Sequence, residues 1–318
     1  MKKPVLIIVL LAASIGVANA AYPTRPIRLI VPYAPGGSSD IIARLYGQRL
    51  TETMGQTIVV DNRPGAGGVI GTGLLAKSTP DGYTLILQDM PHTINPAVYG
   101  DVPYDPQRDF TPITLVARAP QWLFVHPSVQ AKTVRELIAL AKAQPNTLKI
   151  GSAGNGSGTH LMAELLMRGG GIQMTHVPYK GAGPAVTATV GGEMNAVFTS
   201  MPAAVAFVQS GRLRPIAVTT GARQAGFPDV PTFAESGVPN MVLHHWFGVL
   251  GPANLPKPVV AKVHSEVVAA AGSPAVIERY KALMLEPATN TPEEFRALIA
   301  SDLARWGRVV KEAGIKAQ

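Results

Sequence analysis

The sequence predicts an α/β protein of two domains, each a mostly parallel sheet flanked by helices, with a ligand cleft between them. Three observations carry this. A strand, a glycine-rich loop and a capped helix recur in the same βαβαβ order in the first part and the middle of the chain. Strands alternating with helices make parallel sheets covered on both faces. Long extended stretches link the two units, and a length of 318 residues suits two cores.

In chain order, Lys2 and Lys3 precede an apolar run from Val5 to Val17, and Ala18-Asn19-Ala20 supplies an A-x-A site. That is the pattern of a signal peptide over residues 1–20, cleaved after Ala20. The alternative, a single anchoring helix, needs about 20 apolar residues and different flanks. The chain has no cysteine, so it offers no thiol for a lipid anchor and no disulfide to support its cores. The expected location is the periplasm.

The first unit begins with "IRLIV" from Ile27 to Val31, a short apolar strand. "PYAPGGSSD" follows, where Ser38, Ser39 or Asp40 can cap the free N–H groups of a helix. Ile41, Ile42, Leu45 and Leu50 give that helix an apolar face. "TIVVDNRPGAGGVIGTGLLAKS" repeats strand, glycine loop and helix, and "YTLILQDM" is a third strand.

The second unit has the same plan. "LKIGSAGNGSGTHLMAELLMRGG" is strand, polar glycine loop and helix; "MTHVPYKGAGPAVTATVGG" mirrors the earlier glycine loop, down to a Gly-Ala-Gly at 65–67 and again at 181–183. "NAVFTSM" stands where "TLILQDM" stood. The extended stretches "PITLVARAPQWLFVHP" and "GRLRPIAVTT" are expected to carry the chain between domains. The expected division is residues 21–122 with 226–318 as one domain and 123–225 as the other. Three closing helices are expected to pack on the first domain. The last has a capping box at Thr291-Pro292-Glu293-Glu294 and a stop at Gly314.

In open α/β sheets ligands sit beyond the carboxyl ends of the strands, at loops that begin helices. Here those loops are "PYAPGGSSD" and "GSAGNGSGTH", and neither holds the lysine of a phosphate-gripping loop. They offer backbone N–H groups and the hydroxyls of Ser38, Ser39, Ser152, Ser157 and Thr159. Helix N-termini and hydroxyls favour a small anion, with a group such as a carboxylate at each end. The same residues also serve as ordinary turns and caps, so the convergence of two such loops carries the argument. The net charge of +8 is spread without basic blocks, which suits small anions and not nucleic acid.

Other chemistries fit less well. Gly65 to Gly71 has G-x-G-x-x-x-G spacing, not that of a dinucleotide loop, and neither serine cluster is a G-x-S-x-G elbow. His160 and Glu164 share a helix face without an H-E-x-x-H, and His244-His245 lacks metal-ligand spacing. No metal and no cofactor are expected. Arg63, Tyr179 and Lys180 sit on the second pair of loops, within possible reach of the cleft. Trp246 suits core or cleft wall equally. Aromatic residues are only 6% of the chain, so an aromatic-lined pocket is not favoured, though Tyr33, Tyr179 and Trp246 could wall one.

"RPIRLIVPYAPGGSSDIIAR", "NRPGAGGVIGT", "DGYTLIL", "NPAVY", "GSAGNGSGTHL", "VPYKGAGPA" and "FPDVPTFAESGVP", in this order, resemble the substrate-binding receptors of tripartite tricarboxylate transporters, the Bug-type receptors. The resemblance covers nearly all of the chain after residue 20. It implies a two-domain periplasmic binding protein of the type II arrangement, a monomer, which closes on an organic acid and delivers it to membrane permease subunits. Tricarboxylates, dicarboxylates, acidic amino acids, aromatic acids and occasionally uncharged compounds are the implied ligands. The first grip falls on Gly36, Gly37, Ser38, Ser39 and Asp40, and the second on Ser152, Asn155, Gly156, Ser157, Thr159 and His160. Ser200, at a strand end, is implied to vary with ligand. One departure, Asn195 in place of the acidic residue usual in such receptors, bears on ligand identity.

The reading from sequence is therefore a solute receptor and not an enzyme. Its rivals are a sensor module that reports occupancy to a membrane kinase, and an exported hydrolase or lyase.

Overall fold

The two strand–loop–helix units fold with identical connectivity. A computed structural model describes residues 22–316, so the signal peptide expected over 1–20 lies outside the described residues. In the first unit β1 (Ile27–Val31), α1 (Ser38–Met54), β2 (Ile58–Asn62), α2 (Val69–Ala76) and β3 (Thr84–Asp89) place β1 between β2 and β3, parallel to both. In the second, β6 (Lys149–Ser152), α5 (Gly158–Gly170), β7 (Thr175–Pro178), α6 (Ala182–Val190) and β8 (Ala196–Thr199) place β6 between β7 and β8, again parallel to both.

The remaining strands make the sheets mixed, where mostly parallel ones were expected. β4 (Phe110–Pro120), β10 (His244–Pro252) and the two-residue β11 (Glu286–Pro287) join the first sheet antiparallel, in the order β11-β4-β10-β3-β1-β2. β5 (Trp122–Val125) and β9 (Arg214–Val218) join the second antiparallel, in the order β7-β6-β8-β5-β9. The reason is topological. The strands that enter each sheet from the other, β10 and β5, do so without a crossover helix and run against the βαβαβ strands they pair with, β3 and β8.

The first crossing falls at Gln121, between β4 and β5, inside the stretch expected to cross. The second is later than expected. β9, from "GRLRPIAVTT", still pairs with β5 in the second sheet, and the chain returns only between Thr219 and Leu243. At Gln121 the two crossings touch: its N–H donates to Thr219 Oγ1 at 2.9 Å, and Thr219 N–H donates to its carbonyl at 2.9 Å.

α1 shows how sequence sets the packing. Ile42, Tyr46, Leu50 and Met54 fall one turn apart and are buried, and Gly55, in a left-handed conformation, ends the helix. That stripe meets α8 (Lys257–Ala271) and α9 (Pro274–Leu283), with Val263, Val267 and Tyr280 in one core with it. α10 (Pro292–Glu312) starts with the expected capping box and packs on β4 and on α3 (Pro91–Tyr99). The three closing helices thus cover the first sheet, as expected. α4 (Val134–Ala143) and the short α7 (Val205–Gln209) complete the elements around the second.

Candidate ligand-binding cleft

Both units aim their first helix at the same space. α1 has Gly37 as its N-cap and no side-chain cap, so no side chain claims its first N–H groups. None of Ser38, Ser39 and Asp40 caps it, because all three lie inside its first turn. α5 has Ser157 as its N-cap, whose Oγ accepts from the His160 N–H at 3.2 Å. Between the helix starts is a narrow cleft lined by residues of both units.

Of the expected site residues, Tyr33, Gly37, Ser38, Ser39, Ser157, Thr159 and Ser200 line this cleft. Asp89, Gln121 and Phe247 also line it without having been singled out, and His245 does so although it was weighed only as a metal ligand. Ser200 Oγ donates to Ser38 Oγ at 2.7 Å, joining the two sheets across the cleft. Ser157 Oγ and Thr159 Oγ1 are 3.0 Å apart, and Thr159 Oγ1 accepts the Ala153 N–H at 2.8 Å. Each hydroxyl owns one proton and their mutual bond uses one, so the other is available to a guest.

Asp89 anchors the opposite wall from the end of β3. Tyr33 OH donates to its Oδ1 at 2.8 Å, while Ser39 Oγ at 3.2 Å and His245 Nε2 at 3.2 Å meet Oδ2. Burial, with the Asp89 charge behind it, holds the Tyr33 hydroxyl well above its usual pKa, so it stays a donor. The Ser39 proton is likewise committed to Asp89 and is not free for an anion. Among the described cleft-lining residues there is no lysine or arginine.

Serine, histidine and aspartate are therefore together here, but in the wrong order for hydrolysis. In a catalytic triad the histidine lies between serine and acid. In this cleft the acid lies between Ser39 and His245, and His245 Nδ1 is buried without a hydrogen-bond partner.

The other expected residues face elsewhere, for identifiable reasons. Asp40 turns back on its own loop: its carboxylate accepts from Gly36 N–H, Asn62 and Arg44, each within 3.1 Å. Burial would raise that carboxyl, but these partners hold it below the usual value. Ser152 meets His176 Nε2 at 2.6 Å, away from the cleft. His160 stacks on His176 at 4.4 Å, and burial, then the His176 charge, pushes its ring down to about 4. Tyr179 lines two hollows outside the cleft, Arg63 pairs with Asp61, and Lys180 uses its backbone carbonyl to accept the Ala34 N–H at 2.8 Å. Trp246 is core, its Nε1 donating to Asp302 at 2.8 Å and its ring edge-on to Phe295. Asn195 is also remote. It precedes β8, at the strand end opposite Thr199, and its Oδ1 accepts the Lys149 N–H at 2.7 Å, so its departure bears on strand pairing and not on the ligand.

Gly36, Asn155 and Gly156 serve the contact between the units. The second glycine loop of each unit packs on the first loop of the other. A Cβ on Gly183 would overlap the Pro35 carbonyl oxygen and crowd Gly36, and one on Gly67 would overlap the Asn155 carbonyl oxygen. Gly67 also has φ of +57°, a left-handed conformation that glycine takes readily. Tyr99 OH donates to the Asn155 carbonyl at 2.7 Å, and Gly156 lies against Asn95 and Tyr99.

Known proteins share this architecture. BugT of Bordetella pertussis is 38% identical over 302 residues, which cover 94% of this chain and 93% of that one. The adipate-bound structure of R. palustris Rpa4515 has a TM-score of 0.89 at 36% identity, covering 93% of this chain and 99% of that one. Malate-bound MatC (Rpa3494) from Rhodopseudomonas palustris has a TM-score of 0.88 at 30% identity, covering 91% of this chain and 100% of that one. Residues 42–315 match the family described as tripartite tricarboxylate transporter family receptor. With that match over most of the chain, and with BugT alike over 94% of it, the chain belongs to the receptors of the tripartite tricarboxylate transporter family.

Proposed function

We propose that the protein is a monomeric periplasmic solute receptor that binds a small carboxylate between its two sheets and delivers it to the membrane permease subunits of its transporter. The observation that carries this is the convergence of two helix starts, α1 and α5, on one cleft with donors to spare. Each helix start carries about half a positive charge, and each hydrogen bond to a charged group contributes about 1.5–3 kcal/mol. A few such bonds reach micromolar affinity, about −8 kcal/mol. The adipate and malate held by its structural relatives are acids of the same class. The domains we assign follow the two sheets, residues up to Gln121 with those from Leu243 onward as one and the segment between them as the other. Closure would follow from differential affinity, because only the closed form lets both jaws hold the ligand. The order of Ser39, Asp89 and His245 supports binding over hydrolysis.

A thermal-shift screen of residues 21–318 against mono-, di- and tricarboxylates, aromatic acids, amino acids and neutral analogues tests this. At a hundredfold excess over Kd the expected stabilisation is about 2.7 kcal/mol. A shift confined to neutral solutes would overturn the carboxylate reading and leave the fold untouched.

A further inference from the structure

A cleft built for an anion has no evident use for a buried carboxylate, yet Asp89 is 5% exposed and lines it. It is the one lining residue, among those described, whose side chain is ordinarily fully charged at neutral pH. His245 is its neighbour in the wall. The ring places Nε2 on Asp89, so its proton belongs there, and Nδ1 is buried with no partner. That Nδ1 faces the first residue of α5: a Cβ on Gly158 would come within 3.1 Å of it. A second proton on Nδ1 would have no acceptor and would meet the positive end of the helix.

The charges of the empty cleft then nearly cancel, with about +0.5 from each helix start against one carboxylate. A dicarboxylate would bring two negative charges into a space with none to spare. Asp89 also has acceptor capacity left, since two carboxylate oxygens offer about four sites and three are occupied.

Resting on the receptor reading above, we infer that Asp89 is a specificity-determining residue and that the ligand is an amino-carboxylic acid. Its carboxylate meets the jaw hydroxyls and helix starts, and its ammonium meets Asp89. The three hydrogen bonds from Tyr33, Ser39 and His245 fix the carboxylate, so recognition of the ammonium requires no rearrangement of the wall.

The test compares matched pairs by calorimetry: glutarate against 4-aminobutyrate, adipate against 5-aminopentanoate, and succinate against β-alanine. The proteins are the wild type and Asp89→Asn, which keeps the shape and a carbonyl acceptor. In the wild type an amine-bearing acid should bind at least about tenfold more tightly than its dicarboxylate partner, one charge–charge contact being worth that much. Asp89→Asn should remove or reverse that ratio. Preference for dicarboxylates by the wild type overturns the inference while leaving the receptor reading standing, and it needs no variant to be seen. An unchanged ratio in a folded Asp89→Asn protein also overturns it. Silence towards every acid, in both proteins, overturns the receptor reading itself.

Discussion

Ser200 Oγ donates a 2.7 Å hydrogen bond to Ser38 Oγ, tying the loop after β8 to the first turn of α1. These residues are far apart in sequence and belong to different sheets, so the bond exists only when the jaws are together. Ser38 accepts in that bond and so keeps its own O–H proton as a donor.

Ser200→Ala should therefore weaken ligand binding about fivefold, since a neutral hydrogen bond contributes about 1 kcal/mol. The urea midpoint of the unliganded protein should hardly move. Calorimetry beside urea titration checks this; a large midpoint change with unaltered affinity would mean the bond is structural only.

Gly183→Ala inserts a methyl where the Pro35 carbonyl oxygen lies, across the boundary between the units. The residue lies within α6, so alanine suits its backbone locally. The jaws should then fail to meet: binding should fall by about tenfold or more if the competent form becomes that scarce. Small-angle scattering with ligand present should report a larger radius of gyration than for the wild type. Wild-type affinity would show that the jaws do not need to touch.

Ser39→Ala combined with Ser157→Ala removes one support of Asp89 and the cap of α5. Losing the cap should cost about 0.5–2 kcal/mol of stability, leaving a folded protein. Ligand affinity should drop by about tenfold or more, as the Asp89 wall loosens and the α5 jaw loses a hydroxyl at once. Equal affinity in calorimetry would move the site away from these loops.

Acid should destabilise the fold through buried histidines. His92, His160 and His176 are each pushed down from 6.5 to about 4, chiefly by burial. The unfolded chain then gains protons below about pH 6.5 that the folded chain refuses until about pH 4. Stability is thus fully present above that window and lost as pH falls through it. For the fully buried His92 the loss is on the order of 3 kcal/mol at its lower end, at about 1.4 kcal/mol per unit. Urea midpoints at pH 7 and 4.5 should show the drop, and His176→Gln should lessen it. A flat midpoint would rule the mechanism out.

The jaws were legible because strand, glycine loop and helix leave a local signature, and two copies point at one another. Asp89 also leaves a signal: "LILQD" ends a strand in an acid, where α/β sheets present their ligands. His245 could not be found that way. It starts β10, and its end of that strand reaches the cleft only because β10 runs antiparallel to β3, which no local pattern announces. Gln121 was hidden for a similar reason, since a crossing point depends on where two sheets part. Asp40 and Ser152 have the right chemistry in the right loops, yet point away, because each satisfies its own loop or a neighbouring side chain first.

The reciprocal bonds between Gln121 and Thr219 have a consequence for how such receptors diversify. The chain leaves the first sheet and ends the last strand of the second at neighbouring points, so residues 122–218 form an excursion whose two ends are already side by side. Such a segment can be exchanged for that of a relative through two junctions that lie against each other, without re-threading either sheet. One jaw could then be inherited whole while the other keeps Tyr33, Ser39, Asp89 and His245, and ligand range could change by recombination as readily as by point substitution.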